Sequence, residues 1–354
     1  MATGASECDE CTAAFDHVWD IEWSRNPLDP RNLLGAVSTI RQVVEREQYD
    51  IVHVHTPVAA FITRLALRNL RRKKNIQVIY TAHGFHFHPL GHPLKNRVFL
   101  ELEKLAGRWT DHLVVINRVD EQVALQSGIS SRENTHYIPG IGVDTSNYDP
   151  ARINAENISK IRQELELLDD IPLFLMIAEF NPGKRHKDII RAFSDLRRKH
   201  KAYLAFAGTG KLLEDMQNFA KECGVSDDVR FLGKRNDIPA LIRTSIATVL
   251  PSIREGLPRS VMESLSMQTP VIGADIRGMH ELLENGCGIL FPPGDVTALA
   301  DAMEWMLTHP ADAVEMGFKG REKMLETFEI GKIVEAHVEL YNAVGNSAGY
   351  NSNK

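Results

Sequence analysis

Short apolar segments alternate with helical segments along this chain, and this alternation constrains its fold more than any other feature. The first half predicts strands at residues 50–56, 77–82 and 112–116, with helices at 26–48, 57–72 and 94–108. The strands are apolar throughout instead of on one face only. Strands of this kind, separated by helices, indicate a parallel sheet that is covered on both faces.

A break at residues 144–150 separates this half from a second one with the same alternation. The second half predicts a polar helix at 155–166 and strands at 173–177, 202–207, 229–232, 248–250 and 271–273. We therefore predict Rossmann-like α/β domains at 1–150 and 151–330, a helix at 331–345 packing back toward the first domain, and a flexible tail at 346–354. The length of 354 residues agrees with two domains of roughly 150 residues each. We expect an interdomain cleft, with ligands beyond the carboxyl ends of the strands.

The composition excludes several classes of protein. Hydrophobic residues make up 43% and charged residues 25% of the chain, which is typical of a globular protein. A net charge of −6 argues against a broadly basic nucleic-acid-binding surface. Four cysteines do not make a disulfide framework, so a reduced cytoplasmic location is expected. No apolar run approaches the roughly 18 residues of a membrane helix, and the start MATGASECDE does not resemble a signal peptide.

The loop after the predicted strand 248–250 carries two carboxylates eight positions apart, Glu255 and Glu263. Gly256 permits close approach to the backbone, and Pro258 fixes φ for the first turn of a helix. The amides of residues 259–261 would then be unpaired donors at a helix N-terminus, where an anion is favoured. An anion cradle beside carboxylates that accept sugar hydroxyls predicts a nucleotide-diphosphate-sugar ligand.

The stretch from Glu255 to Glu263 resembles the E-x7-E signature of retaining glycosyltransferases with the GT-B fold, in the large group often called family 4. Other segments similar to this family, in the same order, are IAEFNPGKRH at 177–186, FAGTG at 206–210, VRFLGKR at 229–235 and NGCGILFPPG at 285–294. Three segments are similar to the branch that builds capsular and exopolysaccharides: HVHTP at 53–57, TAHGF at 81–85 and YIPGIGVD at 137–144. The resemblance covers about residues 12–340 and implies an α/β fold of the GT-B class.

The resemblance implies that the second domain binds the nucleotide-sugar donor. Glu255 would contact hydroxyls of the donor sugar, Lys184 would neutralise the diphosphate, and Glu263 would hold the nucleotide ribose. The backbone of residues 256–260 would hold the sugar and the diphosphate. The donor-binding residues implied in this way are Lys184, Arg185, Gly208, Gly233, Arg235, Gly256, Leu257, Pro258, Arg259, Ser260 and Glu263, with Gly233 and Arg235 flanking the base.

The same resemblance implies that the first domain binds the acceptor. His83 would lie near the transferred sugar and is, with Glu255, an implied catalytic residue. The implied acceptor-binding residues are His55, Thr56, Gly84, Phe85, His86 and Asn117. The family mechanism is front-side displacement with retention, in which the leaving phosphate accepts the proton of the acceptor. It asks for cationic charge and amide dipoles near the leaving group and implies no metal or other cofactor.

One position in the donor domain departs from the family pattern. The family often has an arginine five positions before the residue that matches Lys184, and this chain has Glu179 there. An acidic residue cannot neutralise a diphosphate. Relatives in the polysaccharide branch also tend to carry glutamate at this position, so we interpret it as a branch feature. Arg185 or Arg259 would then supply the second cation.

The start of the chain departs from the family pattern as well. Family members begin with a strand, a glycine-rich loop and a helix, and none of these is present in this sequence. Residues 1–4 align with the end of the family's second strand, and residues 15–20 align with its third. We therefore expect a truncated gene model or reading frame, because loss of a central strand opens two unpaired sheet edges.

Other motifs allow alternative interpretations. A group of histidines, His53, His55, His86, His88 and His92, invites a metallohydrolase interpretation. Metal sites also need carboxylates or thiolates, so we favour an acceptor-site lining for His55, His83 and His86, with the others solvated. The lone C-x-x-C at 8–11 has no second pair at zinc spacing, and AGTGK at 207–211 is too short for a phosphate loop.

Basic residues cluster between positions 61 and 110, which hold ten Lys or Arg and two acids, a net charge of +8. Arg64, Arg68, Arg71 and Arg72 share one face of the predicted helix. Both a solvated face and a dock on an anionic membrane surface fit this cluster. The dock would gain about 1 kcal/mol per basic residue near the lipid surface, and it fits a lipid-linked acceptor.

Together these observations predict a retaining hexosyl- or N-acetylhexosaminyltransferase that uses a UDP-sugar or similar donor. The predicted acceptor is a lipid-diphosphate-linked glycan in cell-surface polysaccharide synthesis. The enzyme would be cytoplasmic and peripheral at the inner face of the plasma membrane. Two alternatives stay open: a GT-B sugar-nucleotide epimerase, which would need neither an acceptor nor a membrane dock, and a truncated nucleotide-binding homologue without activity.

Overall fold

The computed structural model describes residues 5–22, 29–89, 91–168 and 170–347, and the chain divides into two compact units. Unit 1 holds the described residues up to Ile138 and from Glu335 onward, and unit 2 is Pro139–Val334. The division after Ile138 precedes the predicted boundary at 150, because Val143 and Tyr148 pack into the hydrophobic core of unit 2.

Unit 1 is built on a sheet that has four parallel strands in its described residues, in the order β1-β2-β3-β4. The strands are β1 (Ile51–Val54), β2 (Gln77–Ala82), β3 (His112–Val115) and β4 (Thr135–Tyr137). The helices are α1 (Asp9–Ala14), α2 (Pro30–Glu47), α3 (Pro57–Leu67), α4 (Leu70–Lys74), α5 (Pro93–Gly107) and α6 (Arg118–Gln126). The register pairs Val54 with Tyr80, so the carboxyl ends of β1 and β2 lie side by side.

Three predictions for unit 1 differ from the structure. The helix predicted over 57–72 is divided into α3 and α4 by a turn that contains Asn69, a residue of low helix propensity. Residues 15–20, which the sequence aligned with the family's third strand, do not form a strand, and Phe15 is exposed. The sequence interpretation missed α6 and the three-residue strand β4. Residues 1–4 lie outside the described part of the chain.

Unit 2 is built on a sheet that has six parallel strands in its described residues, in the order β10-β9-β8-β5-β6-β7. The strands are β5 (Leu173–Ile177), β6 (Tyr203–Ala207), β7 (Val229–Gly233), β8 (Ala247–Leu250), β9 (Val271–Ala274) and β10 (Gly288–Phe291). The helices are α7 (Ala155–Glu164), α8 (His186–Arg197), α9 (Leu213–Glu222), α10 (Ile238–Thr244), α11 (Arg259–Ser266), α12 (Met279–Leu283), α13 (Val296–Thr308) and α14 (Pro310–Lys323). The strand order reverses between β5 and β8, and this switch point is where sheets of this type bind ligands.

The last described element is α15 (Ile330–Ser347), and the division between the two units falls within it. The predicted tail at 346–354 therefore begins inside this helix, and its residues 348–354 lie outside the described part. Among the described residues, no helix combines the length and the apolar character that a membrane-crossing helix requires.

Candidate functional site

The two loops that flank the switch point of unit 2 bring Lys184 and Glu255 together. Lys184 belongs to the loop after β5, and Glu255 belongs to the loop after β8. The Lys184 ammonium donates to Oε1 of Glu255 at 2.6 Å, and both side chains are largely buried. The backbone N–H of Ile253 donates to the carbonyl oxygen of Gly183 at 3.1 Å, which ties the loops to each other. A cation and a carboxylate thus stand at the ligand-binding edge of this sheet.

The turn that precedes α11 is held by close backbone contacts. Gly278 has a φ of +68°, and a Cβ atom at this position would lie 1.8 Å from the carbonyl oxygen of Gly256. Pro258 adopts an extended conformation, and α11 begins at the next residue. The prediction of a free amide at Val261 is wrong, because its N–H donates to the carbonyl oxygen of Pro258 at 3.1 Å. The first turn closes on itself and satisfies this donor.

Glu263 is buried within α11, and only 6% of its surface is exposed. Nε of Arg259 donates to its Oε1 at 2.8 Å, and the Tyr148 hydroxyl interacts with the same carboxylate. Burial raises the pKa of Glu263, whereas Tyr148 and Arg259 oppose this rise. The sequence interpretation missed Tyr148, because no local pattern connects it with a residue more than a hundred positions away.

A cavity of about 340 Å³ opens beside the carboxyl ends of β5, β6 and β7. Its lining includes Gly208, Lys234, Arg235 and the acidic Glu179. Gly208 donates its N–H to the carbonyl oxygen of Gly233 at 2.8 Å, so predicted donor-binding residues that follow β6 and that end β7 meet in one place. The volume lies within the range of about 300–1,000 Å³ that small-molecule sites occupy.

Arg235 is fixed in the wall of this cavity by carboxylates on both sides. Its guanidinium donates to Asp237 at 2.6 and 2.9 Å and also forms an ion pair with Glu164. These hydrogen bonds raise the pKa of Arg235 above its ordinary value. The two arginines predicted as second cations are also paired: Arg185 with Asp188 at 2.7 Å, and Arg259 with Glu263.

In unit 1, histidines from β1, from the loop after β2 and from α15 form a cluster. His53 is hydrogen-bonded through Nδ1 to the Tyr341 hydroxyl at 2.6 Å and through Nε2 to the Thr81 hydroxyl at 2.7 Å. Nδ1 of His55 lies 3.0 Å from Nε2 of His83. The prediction that His53 is solvated is wrong, because α15 covers it. No group of three or more His, Cys, Asp or Glu in the described part of the chain is arranged to hold a metal ion.

Partial desolvation favours the neutral state of His53, His55 and His83 at physiological pH. Burial lowers the pKa of His53 to about 3 and that of His55 to about 4, and the neighbouring histidines lower both further. Burial, followed by His337, also lowers the pKa of His83. A neutral imidazole has one donor and one acceptor nitrogen, so the cluster can hydrogen-bond hydroxyl groups in either sense.

The residues that follow the histidines adopt unusual backbone conformations. Thr56 has a φ of +56°, which is a genuine outlier for a β-branched residue, and Gly84 has a φ of +110°. Strain of this kind persists where the surrounding structure enforces it and clusters at ligand sites. Both positions belong to the predicted acceptor set and adjoin His55 and His83.

The other predicted acceptor residues are turned into the protein. Phe85 is buried and stacks on Phe87 with ring centroids 5.1 Å apart. The His86 ring is partly buried against Phe99. Asn117 is fully buried at the start of α6, where its side chain accepts from the amide of Asp120 at 2.8 Å. The structure does not bring these three side chains into the exposed surface formed by His55, Thr56 and His83.

The sequence predicts that four arginines of the basic segment share one exposed helical face. This prediction is wrong for Arg64 and Arg71. Arg64 is fully buried, with an ion pair to Glu103 at 3.1 Å, and its guanidinium lies over the ring of Tyr80. Arg71 is largely buried and forms an ion pair with Asp111. Periodicity placed these residues on one face but did not predict that this face packs against the sheet.

Comparison with known protein families assigns both halves of the chain. The family described as "Glycosyltransferase Family 4" matches residues 9–147, and the family described as "Glycosyl transferases group 1" matches residues 157–323. The Bacillus subtilis protein named "Putative glycosyltransferase EpsD" is 34% identical over 332 residues, which cover 93% of this chain and 85% of that protein.

Two more distant matches extend this result. An Escherichia coli protein named UDP-Gal:alpha-D-GlcNAc-diphosphoundecaprenol alpha-1,3-galactosyltransferase is 26% identical over 313 residues, 87% of this chain and 79% of that protein. The solved structure of Anabaena Alr3699/HepE in complex with UDP matches with a TM-score of 0.76 and 21% identity, over 92% of this chain and 86% of that one. The match confirms the predicted α/β fold of the GT-B class.

Proposed function

The chain belongs to the glycosyltransferases, with a family 4 domain in its first half and a group 1 domain in its second, and we propose that it transfers a sugar from a UDP-sugar to a lipid-linked glycan. The transferred group is a hexose or an N-acetylhexosamine, and the reaction retains the anomeric configuration. The product serves cell-surface polysaccharide synthesis, in keeping with the lipid-linked substrate in the name of the Escherichia coli relative.

The observation that carries the donor assignment is the pair of Lys184 and Glu255 at the switch point of unit 2. A diphosphate that enters beside this pair competes with Glu255 for the Lys184 ammonium. The carboxylate is then released to accept hydroxyl hydrogens of the donor sugar. The ion pair thus holds the Lys184 ammonium and the Glu255 carboxylate in position before the donor binds. When the donor binds, the ammonium contacts the diphosphate and the carboxylate contacts the sugar.

The cavity beside β5, β6 and β7 accommodates the base in this proposal. Gly208 and Gly233 bring the backbone close to the ligand, and Arg235 is held rigidly at one wall by its two carboxylates. The buried carboxylate of Glu263 accepts hydrogen bonds from the ribose hydroxyls. A structural neighbour of this chain has been solved with UDP, which supports a uridine nucleotide as the ligand of this fold.

The chemical step that we propose is a front-side displacement. The bond between the anomeric carbon and the donor phosphate oxygen breaks, and the acceptor hydroxyl oxygen bonds to that carbon from the same face. The departing phosphate takes the hydroxyl proton, so no strong protein base is needed. The Lys184 ammonium stabilises the negative charge that develops on the diphosphate. In unit 1, the neutral His55 and His83 orient hydroxyl groups.

Replacing Lys184 with methionine tests the donor site. We expect the affinity for UDP, measured by calorimetry, to fall by about 10- to 100-fold, because a charge-assisted hydrogen bond contributes about 1.5–3 kcal/mol. Lys187→Met removes an exposed ammonium three residues further along the chain, in α8, and is the matched control, which should bind UDP like the natural chain. Equal affinities of the two variants would contradict the site.

A transfer assay separates the proposed reaction from its alternatives. UDP released from a UDP-sugar only when a lipid-diphosphate-linked glycan is present supports transfer. Interconversion of the UDP-sugar without an acceptor would instead identify a sugar-nucleotide epimerase. UDP binding without any turnover would identify a homologue that binds the nucleotide but lacks activity.

A further inference from the structure

Helix α5 exposes a continuous apolar stripe on the surface of unit 1. Its four members are Leu94, Val98, Leu102 and Leu105, with 66%, 51%, 38% and 40% of their surfaces exposed. At 100° per residue, these positions fall within an arc of about 80° on the helix. Large side chains that follow one another on a single face form a patch, whereas isolated exposed apolar residues are ordinary.

A buried polar network fixes which face of α5 points outward. Glu103 lies on the opposite side of the helix, where it accepts from Arg64 at 3.1 Å and from the Tyr80 hydroxyl at 3.2 Å. Ala106 is fully buried beside it. Rotation of the stripe toward the core would bring Glu103 into the solvent and leave Arg64 buried without its carboxylate, which is strongly unfavourable. The burial of the Arg64–Glu103 ion pair therefore requires that the apolar stripe of α5 faces the solvent.

The stripe is bordered by cations. Lys95 adjoins it on one side, and Arg97, Lys104 and Arg108 lie along the other side, where the one acid of this border, Glu101, is 3.3 Å from Lys104. Helix α4 lies next to the C-terminal end of α5, because Arg71 donates to the carbonyl oxygen of Arg108 at 3.0 Å. The neighbouring residues of α4, Arg72, Lys73 and Lys74, are exposed.

We propose that this surface of α5 and α4 docks on an anionic lipid bilayer, with the apolar stripe among the acyl chains and the cations at the headgroups. A helix with an apolar face and Lys or Arg beside it binds membranes in the interfacial plane. Long basic side chains keep their charges in water while their stems follow the apolar surface. The inference rests on the proposed function only in that a lipid-linked acceptor brings the enzyme to a bilayer.

The charges favour a bilayer over a second copy of the chain. A symmetric dimer through this patch would bring two sets of cations against each other, which is unfavourable. The exposed apolar residues of α14, Val314 and Phe318, have both signs of charge beside them, with Glu315 and Lys319 paired at 2.7 Å. The bias toward one sign is thus a property of the α5 surface and not of every exposed stripe in the described part of the chain.

Vesicle flotation tests the proposal with the full chain. Vesicles of phosphatidylglycerol and phosphatidylcholine should carry the protein, and vesicles of phosphatidylcholine alone should carry about tenfold less. The double variant Val98→Asp/Leu102→Asp should lose about tenfold or more of its binding to the anionic vesicles. The double variant Val314→Asp/Phe318→Asp places the same two charges on similarly exposed apolar residues of α14 and should bind as the natural chain does. Binding of the α5 double variant at the natural level would overturn the proposal.

Two further measurements separate the possible outcomes. Raising the salt concentration should weaken vesicle binding without abolishing it, because salt does not screen the apolar contact. A dimer in ultracentrifugation that the α5 double variant abolishes, with vesicle binding unchanged, would assign the stripe to a second copy and overturn the proposal. UDP affinity in solution should be unaffected by the α5 double variant. Failure of the membrane proposal would therefore leave the Lys184 test, and with it the proposed function, intact.

Discussion

Lowering the pH from 7 to 5 should destabilise unit 1, because the folded structure holds His53 uncharged. Burial is the main cause, and His55, His337 and His83 add electrostatic repulsion, so the pKa of His53 falls from 6.5 to about 3. Its hydrogen bonds to Thr81 and Tyr341 do not restore the charged form, since hydroxyl groups accept or donate equally well.

The sign and the size of the effect follow from proton linkage. The unfolded chain takes up a proton on His53 below about pH 6.5, whereas the folded chain does so only near pH 3. Stability is therefore complete above pH 6.5 and is lost progressively as the pH falls toward 3. Between pH 6.5 and pH 5 the loss is about 1.4 kcal/mol per pH unit, or about 2 kcal/mol in total.

The variant His53→Gln isolates this contribution, because an amide can hydrogen-bond both hydroxyls but does not titrate. Hydrogen exchange of peptides from β2, corrected for the intrinsic rate at each pH, reports the opening of unit 1 separately from unit 2. The free energy of opening in the natural chain, relative to that of the variant, should fall by about 2 kcal/mol from pH 7 to pH 5. His92→Gln, at an exposed histidine before α5, is the matched control.

Parallel pH profiles for the natural chain and His53→Gln would refute the reasoning. They would mean that His53 titrates alike in the folded and unfolded states, so that α15 does not bury it. A ring resonance of His53 that titrates near pH 6.5 in an NMR experiment would lead to the same conclusion.

Two structural contacts make further predictions. Gly278→Ala should destabilise unit 2 by more than about 3 kcal/mol in urea unfolding, because its Cβ atom would overlap a backbone carbonyl oxygen. Gly294→Ala, where φ is also positive but no atom lies within 4 Å, should cost only about 1 kcal/mol, and equal losses would contradict a steric cause. Arg64→Met should cost about 3–5 kcal/mol by leaving Glu103 buried without its partner. Arg64→Met/Glu103→Leu should recover most of that loss, and no recovery would argue against the ion pair.

Local patterns in the sequence were sufficient to predict the fold class and the grouping of residues around Glu255. The apolar strands predicted parallel sheets because a strand that is covered on both faces has no polar side to alternate. The strand predicted at 173–177 has the observed bounds of β5, and the strand at 77–82 has those of β2. Glycine, proline and the acidic residues between 255 and 263 lie within one loop and one helix turn, so their grouping needs no long-range contact.

Short or irregular elements could not be predicted in this way. β4 has only three residues, too few for a periodic signal, and it exists because β3 offers an edge with which it pairs. The turn between α3 and α4 interrupts a sequence that reads as one helix. The resemblance implies that Asn117 binds the acceptor, whereas the tertiary structure uses its side chain to accept a hydrogen bond at the start of α6.

The sequence by itself determined which residue types stand at the ends of the strands, because strand and helix periodicity depends only on near neighbours. Only the tertiary structure decided which of these residues meet. The pairs of Lys184 with Glu255, of Tyr148 with Glu263 and of His53 with Tyr341 join distant parts of the chain. Burial was decided in the same way: Arg64 faces the sheet, whereas Leu94, Leu102 and Leu105 of α5 face the solvent. The physical reason is that packing of one element on another, and not the period of either, selects the face that loses contact with water.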